Sequence, residues 1–265
     1  MTLHIAYTID IQGMGAGQFV DQLLCSVYSL RENKRDADSI TCHVLYANMP
    51  TELMRRLVSL QTETFKVHLF GIPQADLQYM QMFTRHNPGA VQRSWGGIVY
   101  ARLFIPKYLP DVDRVIYLDA DTLVMSSLHE LYETDLKGNL LGMNMGVVPE
   151  YGFNSGVILM DLKALREDKD LYVNLDKFMR QFSLDFFLPD QTTINRFFKD
   201  KIFPIDRKYN FPPSTGLNDP NAEKAVVFHF YNNGTKPIRF KTDDAGRTLM
   251  LWNEILRSAD GATQQ

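Results

Sequence analysis

Much that would assign a function by composition is missing from this 265-residue chain. It has two cysteines, Cys25 and Cys42, each inside an apolar stretch. They fit buried, inert thiols and give no disulfide framework. No apolar run has the length that a bilayer crossing requires, and Val115-Ile116-Tyr117-Leu118 is far too short. The N-terminus, Met1-Thr2-Leu3-His4-Ile5, lacks the charged and continuous apolar regions of a leader. The expectation is a soluble cytoplasmic protein, with peripheral membrane contact left open. A formal charge of −3 gives nucleic acid no bulk attraction. Gly13, Gly15 and Gly17 lack the spacing of a dinucleotide fingerprint, which removes the main support for a dehydrogenase. Repeats, low-complexity tracts and linkers are absent too, and one domain over residues 1–265 is the simplest partition. Residues 249–257 have one apolar face but no basic cluster after it, so core docking is expected rather than a stable membrane anchor.

What is present is ordinary globular composition, 45% hydrophobic and 22% charged, in a chain long enough for one large core. Its first half alternates strand and helix signals. Residues 5–9, 40–47 and 65–70 have strand character. Apolar residues at helical spacing follow Gly17, and a second helix starts at Pro50. This rhythm predicts a largely parallel sheet with helices on both faces, whose ligands bind beyond the carboxyl ends of the strands. One helix is expected over 95–109, with strands at 139–143, 157–160 and 225–230. Helices are expected around Leu175 and Phe178, from Pro189 onward, and over 246–257.

The main chemical clue is Asp119-Ala120-Asp121, which closes the strand Val115-Ile116-Tyr117-Leu118. Residues i and i+2 of an extended chain point the same way, ~6.6 Å apart, so one cation can feel both carboxylates. Two like charges that close need a metal or a donor-rich ligand. Taken alone, the tripeptide fits a solvated turn better. Arg102, among apolar neighbours in Tyr100-Ala101-Arg102-Leu103, is either partnered and buried or snorkelling. Asn154-Ser155-Gly156 has the composition of a turn entering a strand, and Asp190 that of a first-turn helix acid. His229 alone resembles a satisfied core histidine.

Together these segments carry more than they do singly. Tyr100 to Leu103, Asp119 to Asp121, Asn154 to Gly156, Pro189-Asp190-Gln191, and His229 with Gly234 and Lys236-Pro237 occur in the order and spacing of one family. Over about residues 5–237 the chain resembles the family 8 glycosyltransferases, which include bacterial lipopolysaccharide galactosyl- and glucosyltransferases and the glycogenins. The resemblance implies a GT-A fold: a Rossmann-like, mostly parallel sheet flanked by helices, with a small additional C-terminal part. It also implies transfer of a hexose, galactose or glucose, from a UDP-sugar with retention at the anomeric carbon. The acceptor would be a saccharide, a lipid-linked saccharide or a glycoprotein.

By the same resemblance, Asp119, Asp121 and His229 would hold Mn²⁺ or Mg²⁺, with Asp119 and Ala120 also near the ribose. Asp10 would bind uracil, flanked by Tyr7 and Thr8, with Gln12 contacting uridine. Arg102, Asn154, Ser155 and Asp190 would grip the donor sugar. Gly234 and Lys236 would meet the diphosphate, although this stretch departs from the commoner pattern, which is shorter and ends in Lys-Pro-Trp. Gln191 would lie nearest the reacting face of the anomeric carbon. Glutamine is a poor nucleophile, which leaves front-face substitution and a double displacement through Asp190 both open. Other readings are a degenerate UDP-sugar-binding protein, a self-glucosylating glycogenin-like enzyme, and a nucleotidyltransferase or metal phosphohydrolase.

Overall fold

Strands that are apolar on both faces need a helical layer on each side of their sheet. The computed structural model describes residues 1–11, 16–85, 87, 96–182, 188–213, 221–231 and 246–263, and Gln12, Gly234 and Lys236 lie outside them. The strands are β1 (Thr2–Asp10), β2 (Ser39–Ala47), β3 (Phe65–Gly71), β4 (Arg114–Leu118), β5 (Thr122–Val124), β6 (Leu141–Met145), β7 (Phe153–Asp161), β8 (Ile202–Pro204) and β9 (Val227–His229). The helices are α1 (Ala16–Glu32), α2 (Thr51–Ser59), α3 (Gln74–Thr84), α4 (Ile105–Tyr108), α5 (His129–Tyr132), α6 (Leu162–Glu167), α7 (Leu171–Phe182), α8 (Pro189–Phe197) and α9 (Gly246–Thr263).

A seven-stranded sheet runs in the order β3-β2-β1-β4-β7-β6-β8. β3, β2, β1 and β4 are mutually parallel, and β7 enters antiparallel to both β4 and β6. Helices α1, α2 and α9 supply Leu23, Leu24, Leu53, Leu57 and Ala259 to the core on one face. On the other face, Met80, Phe83, Leu162, Leu165, Met179 and Ile194 come from α3, α6, α7 and α8. At the centre, Val115 to Leu118 are wholly buried, as their unbroken apolar run requires. No helix among the described residues is long and apolar enough to cross a membrane.

Several elements differ from the sequence expectation. The helix expected over 95–109 is a 3-10 helix, Gly97–Phe104, followed by the short α4. Pro106 lacks the N–H that a continuous helix would direct at residue 102. β7 begins at Phe153, four residues before the expected start, because Phe153 pairs with Met145 beyond an irregularity in β6. Asn154 and Ser155 are therefore strand residues rather than a turn. The late strand shortens to Val227–His229 and pairs with β5 instead of joining the main sheet. α9 extends to Thr263.

Candidate active site

The parallel register of β1 and β4, Ile5 on Ile116 and Ala6 on Tyr117, brings their carboxyl ends to one edge. Asp119 follows directly, and its N–H donates to the Gly156 carbonyl of β7 at 2.8 Å. The small β5–β9 sheet pairs Thr122 with His229, and the Phe230 N–H donates to the Asp121 carbonyl at 2.9 Å. Residues remote in sequence thus converge through backbone pairing. One ligand atom from each of Asp119, Asp121 and His229 lies within 4.8 Å of the others.

His229 is 2% exposed. Its Nε2 stands 3.2 Å from Asp121 Oδ1 and 3.5 Å from Asp119 Oδ2. Neither approach is aligned as a hydrogen bond, so this buried ring nitrogen has no such partner among the described residues. Burial works to lower its pKa, but Asp121 and Asp119 outweigh burial and push it up to about 9. Burial likewise works to raise Asp119, yet Arg102 and His229 prevail and hold that carboxyl below its usual range. Gly156 makes the ring position possible, since a Cβ there would lie 1.9 Å from His229 Cε1.

Arg102 takes the partnered alternative and is 7% exposed. Its guanidinium contacts Asp119 Oδ1 at 3.0 Å and Asp190 Oδ2 at 3.2 Å, donates to the Ser155 carbonyl at 2.8 Å, and lies 4.6 Å from the Tyr117 ring centroid. Burial alone would favour the neutral guanidine, but the two carboxylates override it and raise its pKa. The arginine ties Asp119 to α8 through Asp190. There, Ser155 Oγ donates to Asp190 Oδ2 at 2.9 Å. Gln191 donates from Nε2 to the Tyr151 carbonyl at 3.0 Å, and its Oε1 accepts from Asn154 Nδ2 at 3.3 Å and the Ser155 N–H at 3.4 Å.

On the β1 side, the Thr8 hydroxyl is 3.2 Å from the Tyr117 hydroxyl, which donates to Asp119 Oδ1 at 2.6 Å. Asp10 ends β1 and accepts from Asn48 Nδ2 at 2.9 Å, and burial raises its pKa against that bond. Ala120 is half-buried against the core. Tyr7 departs from its expected place beside a base. Strand alternation turns its ring into the core, where its hydroxyl is 3.0 Å from Ser26. Ser26 is 2.9 Å from Thr122, whose hydroxyl donates to the Asp119 carbonyl at 2.8 Å. Tyr7 thus supports the aspartate turn from beneath.

Asn210 and Asn195 were not singled out from sequence. Asn210 is 2% exposed and meets both His229 and Asn154. Its only sequence signal is a polar residue between Tyr209 and Phe211. Asn195 bonds both polar backbone groups of Phe153 and the Gln191 carbonyl, joining β7 to α8.

The seven-stranded sheet with helices on both faces is the GT-A fold. The chain matches the model of glycosyl transferase family 8 over residues 11–240 and belongs to that family. Glycosyltransferase GlyB of Streptococcus pneumoniae serotype 4 is 29% identical over 238 residues, 78% of this chain and 53% of GlyB. The chain therefore spans about half the length of that curated relative. General stress protein A of Bacillus subtilis is 24% identical over 265 residues, covering 86% of this chain and 88% of that protein. Among solved structures, galactosyltransferase LgtC in complex with donor and acceptor sugar analogues superposes with a TM-score of 0.74. It is 23% identical over 95% of this chain and 96% of LgtC. Apo GlyE of Streptococcus pneumoniae TIGR4 gives a TM-score of 0.73 at 19% identity, over 98% and 64% of the two chains.

Proposed function

We propose that this chain is a divalent-metal-dependent, retaining hexosyltransferase that moves galactose or glucose from a UDP-sugar to a saccharide or glycoconjugate acceptor. The observation that carries the reading is Arg102, which joins the Asp119–Asp121–His229 cluster to the Ser155–Asp190–Gln191 group. The orphaned Nε2 between two carboxylates is the donor set a divalent ion takes, with Mn²⁺ suited to mixed imidazole and carboxylate ligands. When bound, such an ion neutralises the diphosphate as the glycosidic bond breaks.

The chain's own residues divide the remaining work. In this proposal Asp10 accepts the uracil N3–H and Thr8 packs nearby. Arg102 bridges Asp119 and Asp190 and holds the Asp119 carboxyl ionised. Asp190 binds a sugar hydroxyl. Its Oδ2 already receives Ser155 Oγ–H and faces Arg102, which lowers its nucleophilicity and favours front-face substitution. The leaving diphosphate oxygen takes the acceptor proton, while Gln191 Oε1 faces the positive charge developing at the anomeric carbon. Gly234 and Lys236 remain proposed diphosphate contacts, and Gln12 a proposed uridine contact.

The test is a screen of UDP-hexoses for UDP release with Mn²⁺ and with EDTA. Release is expected with UDP-galactose or UDP-glucose and should vanish with EDTA; absence of release and transfer with every common UDP-hexose rejects the reading. With the active donor, Gln191→Ala is expected to lower kcat at least ~100-fold and Asp190→Asn less. A reversed order would instead assign the nucleophile to Asp190.

A further inference from the structure

A run of hydrogen bonds joins His229 to Gln191 through Asn210, a residue to which the reading above gives no role. His229 Nδ1 is 2.9 Å from Asn210 Oδ1. Asn210 Nδ2 donates to Asn154 Oδ1 at 2.9 Å, Asn154 Nδ2 to Gln191 Oε1 at 3.3 Å, and Gln191 Nε2 to the Tyr151 carbonyl at 3.0 Å.

The direction of this chain is not free. A backbone carbonyl only accepts, so Gln191 must turn its Nε2 to Tyr151 and its Oε1 toward Asn154. Backbone N–H groups only donate, and two of them impose the same direction. Ser155 N–H faces Gln191 Oε1 at 3.4 Å, and Gly156 N–H donates to Asn154 Oδ1 at 3.0 Å. With Asn154 so oriented, Asn210 must present Nδ2 to it and Oδ1 to His229. The proton of a neutral His229 imidazole then belongs on Nδ1, and the lone pair on Nε2, the atom that faces Asp119 and Asp121.

We propose that Asn210 is a positioning residue that selects the metal-binding tautomer of His229 and, through Asn154, couples that choice to the orientation of the Gln191 amide. The proposal rests on the metal-cluster reading above and deepens it. Two halves of one asparagine do separate jobs: Oδ1 serves the metal end and Nδ2 the sugar end. Asn210 is held for both by its neighbours, since the Phe211 N–H donates to the Val227 carbonyl and the His229 N–H to the Phe211 carbonyl, each at 2.9 Å.

The halves are separable by substitution. Asn210→Asp keeps an acceptor for His229 Nδ1–H but offers Asn154 no donor, whereas Asn210→Ala removes both. Mn²⁺ is titrated into the whole chain, without nucleotide and with saturating UDP, and free Mn²⁺ is followed by electron paramagnetic resonance. Asn210→Ala should weaken Mn²⁺ binding about 10- to 100-fold, the usual effect of losing the group that orients a ligating histidine. Asn210→Asp should stay within about threefold of the parent affinity, yet lose about tenfold or more in kcat for UDP release at saturating Mn²⁺. Unchanged Mn²⁺ affinity in Asn210→Ala, or equal loss of affinity in both variants, overturns the proposal. If Asn210→Ala does not fold, the affinity-against-kcat split in Asn210→Asp decides alone. Asp121→Asn distinguishes the two levels: no effect of that variant on Mn²⁺ binding rejects the metal cluster itself. If the parent chain releases no UDP, the Mn²⁺ arm still tests Asn210.

Discussion

Gly156 shows how much a single residue decides at this site. Its missing side chain is the space that the His229 ring occupies, with a Cβ calculated 1.9 Å from Cε1 and 2.7 Å from Nε2. Gly156→Ala is therefore expected to displace the imidazole and weaken Mn²⁺ binding at least ~10-fold, a size typical of losing one well-oriented ligand contact. Free-Mn²⁺ measurements beside an unchanged far-ultraviolet circular dichroism spectrum check this, and parent-like affinity would contradict it. From sequence, Asn154-Ser155-Gly156 looked like turn chemistry, and only the neighbouring imidazole shows why glycine stands there. Arg102 was equally ambiguous. Whether it snorkels or pairs depends on Asp119 and Asp190, which the fold delivers from different elements.

At the scale of elements, β1, β2 and β3 carry a histidine cluster separate from the Asp119–Asp121–His229 group. His4 Nδ1 lies 3.0 Å from His43 Nε2, and His43 packs edge-on against His68 with ring centroids 5.5 Å apart. Burial first, then the neighbouring His4 and His68, lowers the His43 pKa to about 3. Unfolding returns that ring to its ordinary value of 6.5, so below pH 6.5 the unfolded chain binds the extra proton. Stability is thus full above pH 6.5 and falls as the pH drops from there toward 3. The expected loss at this site between pH 6.5 and 5 is about 2 kcal/mol. Urea unfolding of the parent and of His43→Gln at both pH values measures it: the variant should lose less, and identical pH slopes would refute the assignment. The parallel strands themselves were legible, because a strand buried on both faces must be continuously apolar. The early start of β7 was not, because polar Asn154 and Ser155 are carried into the strand by the Phe153–Met145 pairing beyond the irregularity in β6, which local composition does not announce.

Across the whole molecule, the C-terminal helix braces the end of β9. Trp252 is 3% exposed, and its ring centroid lies 5.1 Å from that of Phe230, the residue after His229. Trp252→Ala should cost about 3–5 kcal/mol and lower the thermal midpoint by roughly 10 °C. It should also weaken Mn²⁺ binding, because Phe230 holds the end of β9. A midpoint shift below about 2 °C would contradict the packing role of Trp252, and parent-like Mn²⁺ affinity would contradict the brace. By itself the sequence determined the strand–helix alternation, the carboxylate pair at a strand end and the family, because each is written in local periodicity or in ordered motifs. Only the tertiary structure decided that Tyr7 supports the aspartate turn from the core, that Arg102 spans two carboxylates, and that Asn210 orients His229. Those roles depend on distances between residues far apart in the chain, and such distances exist only once backbone pairing has brought the strand ends to one edge.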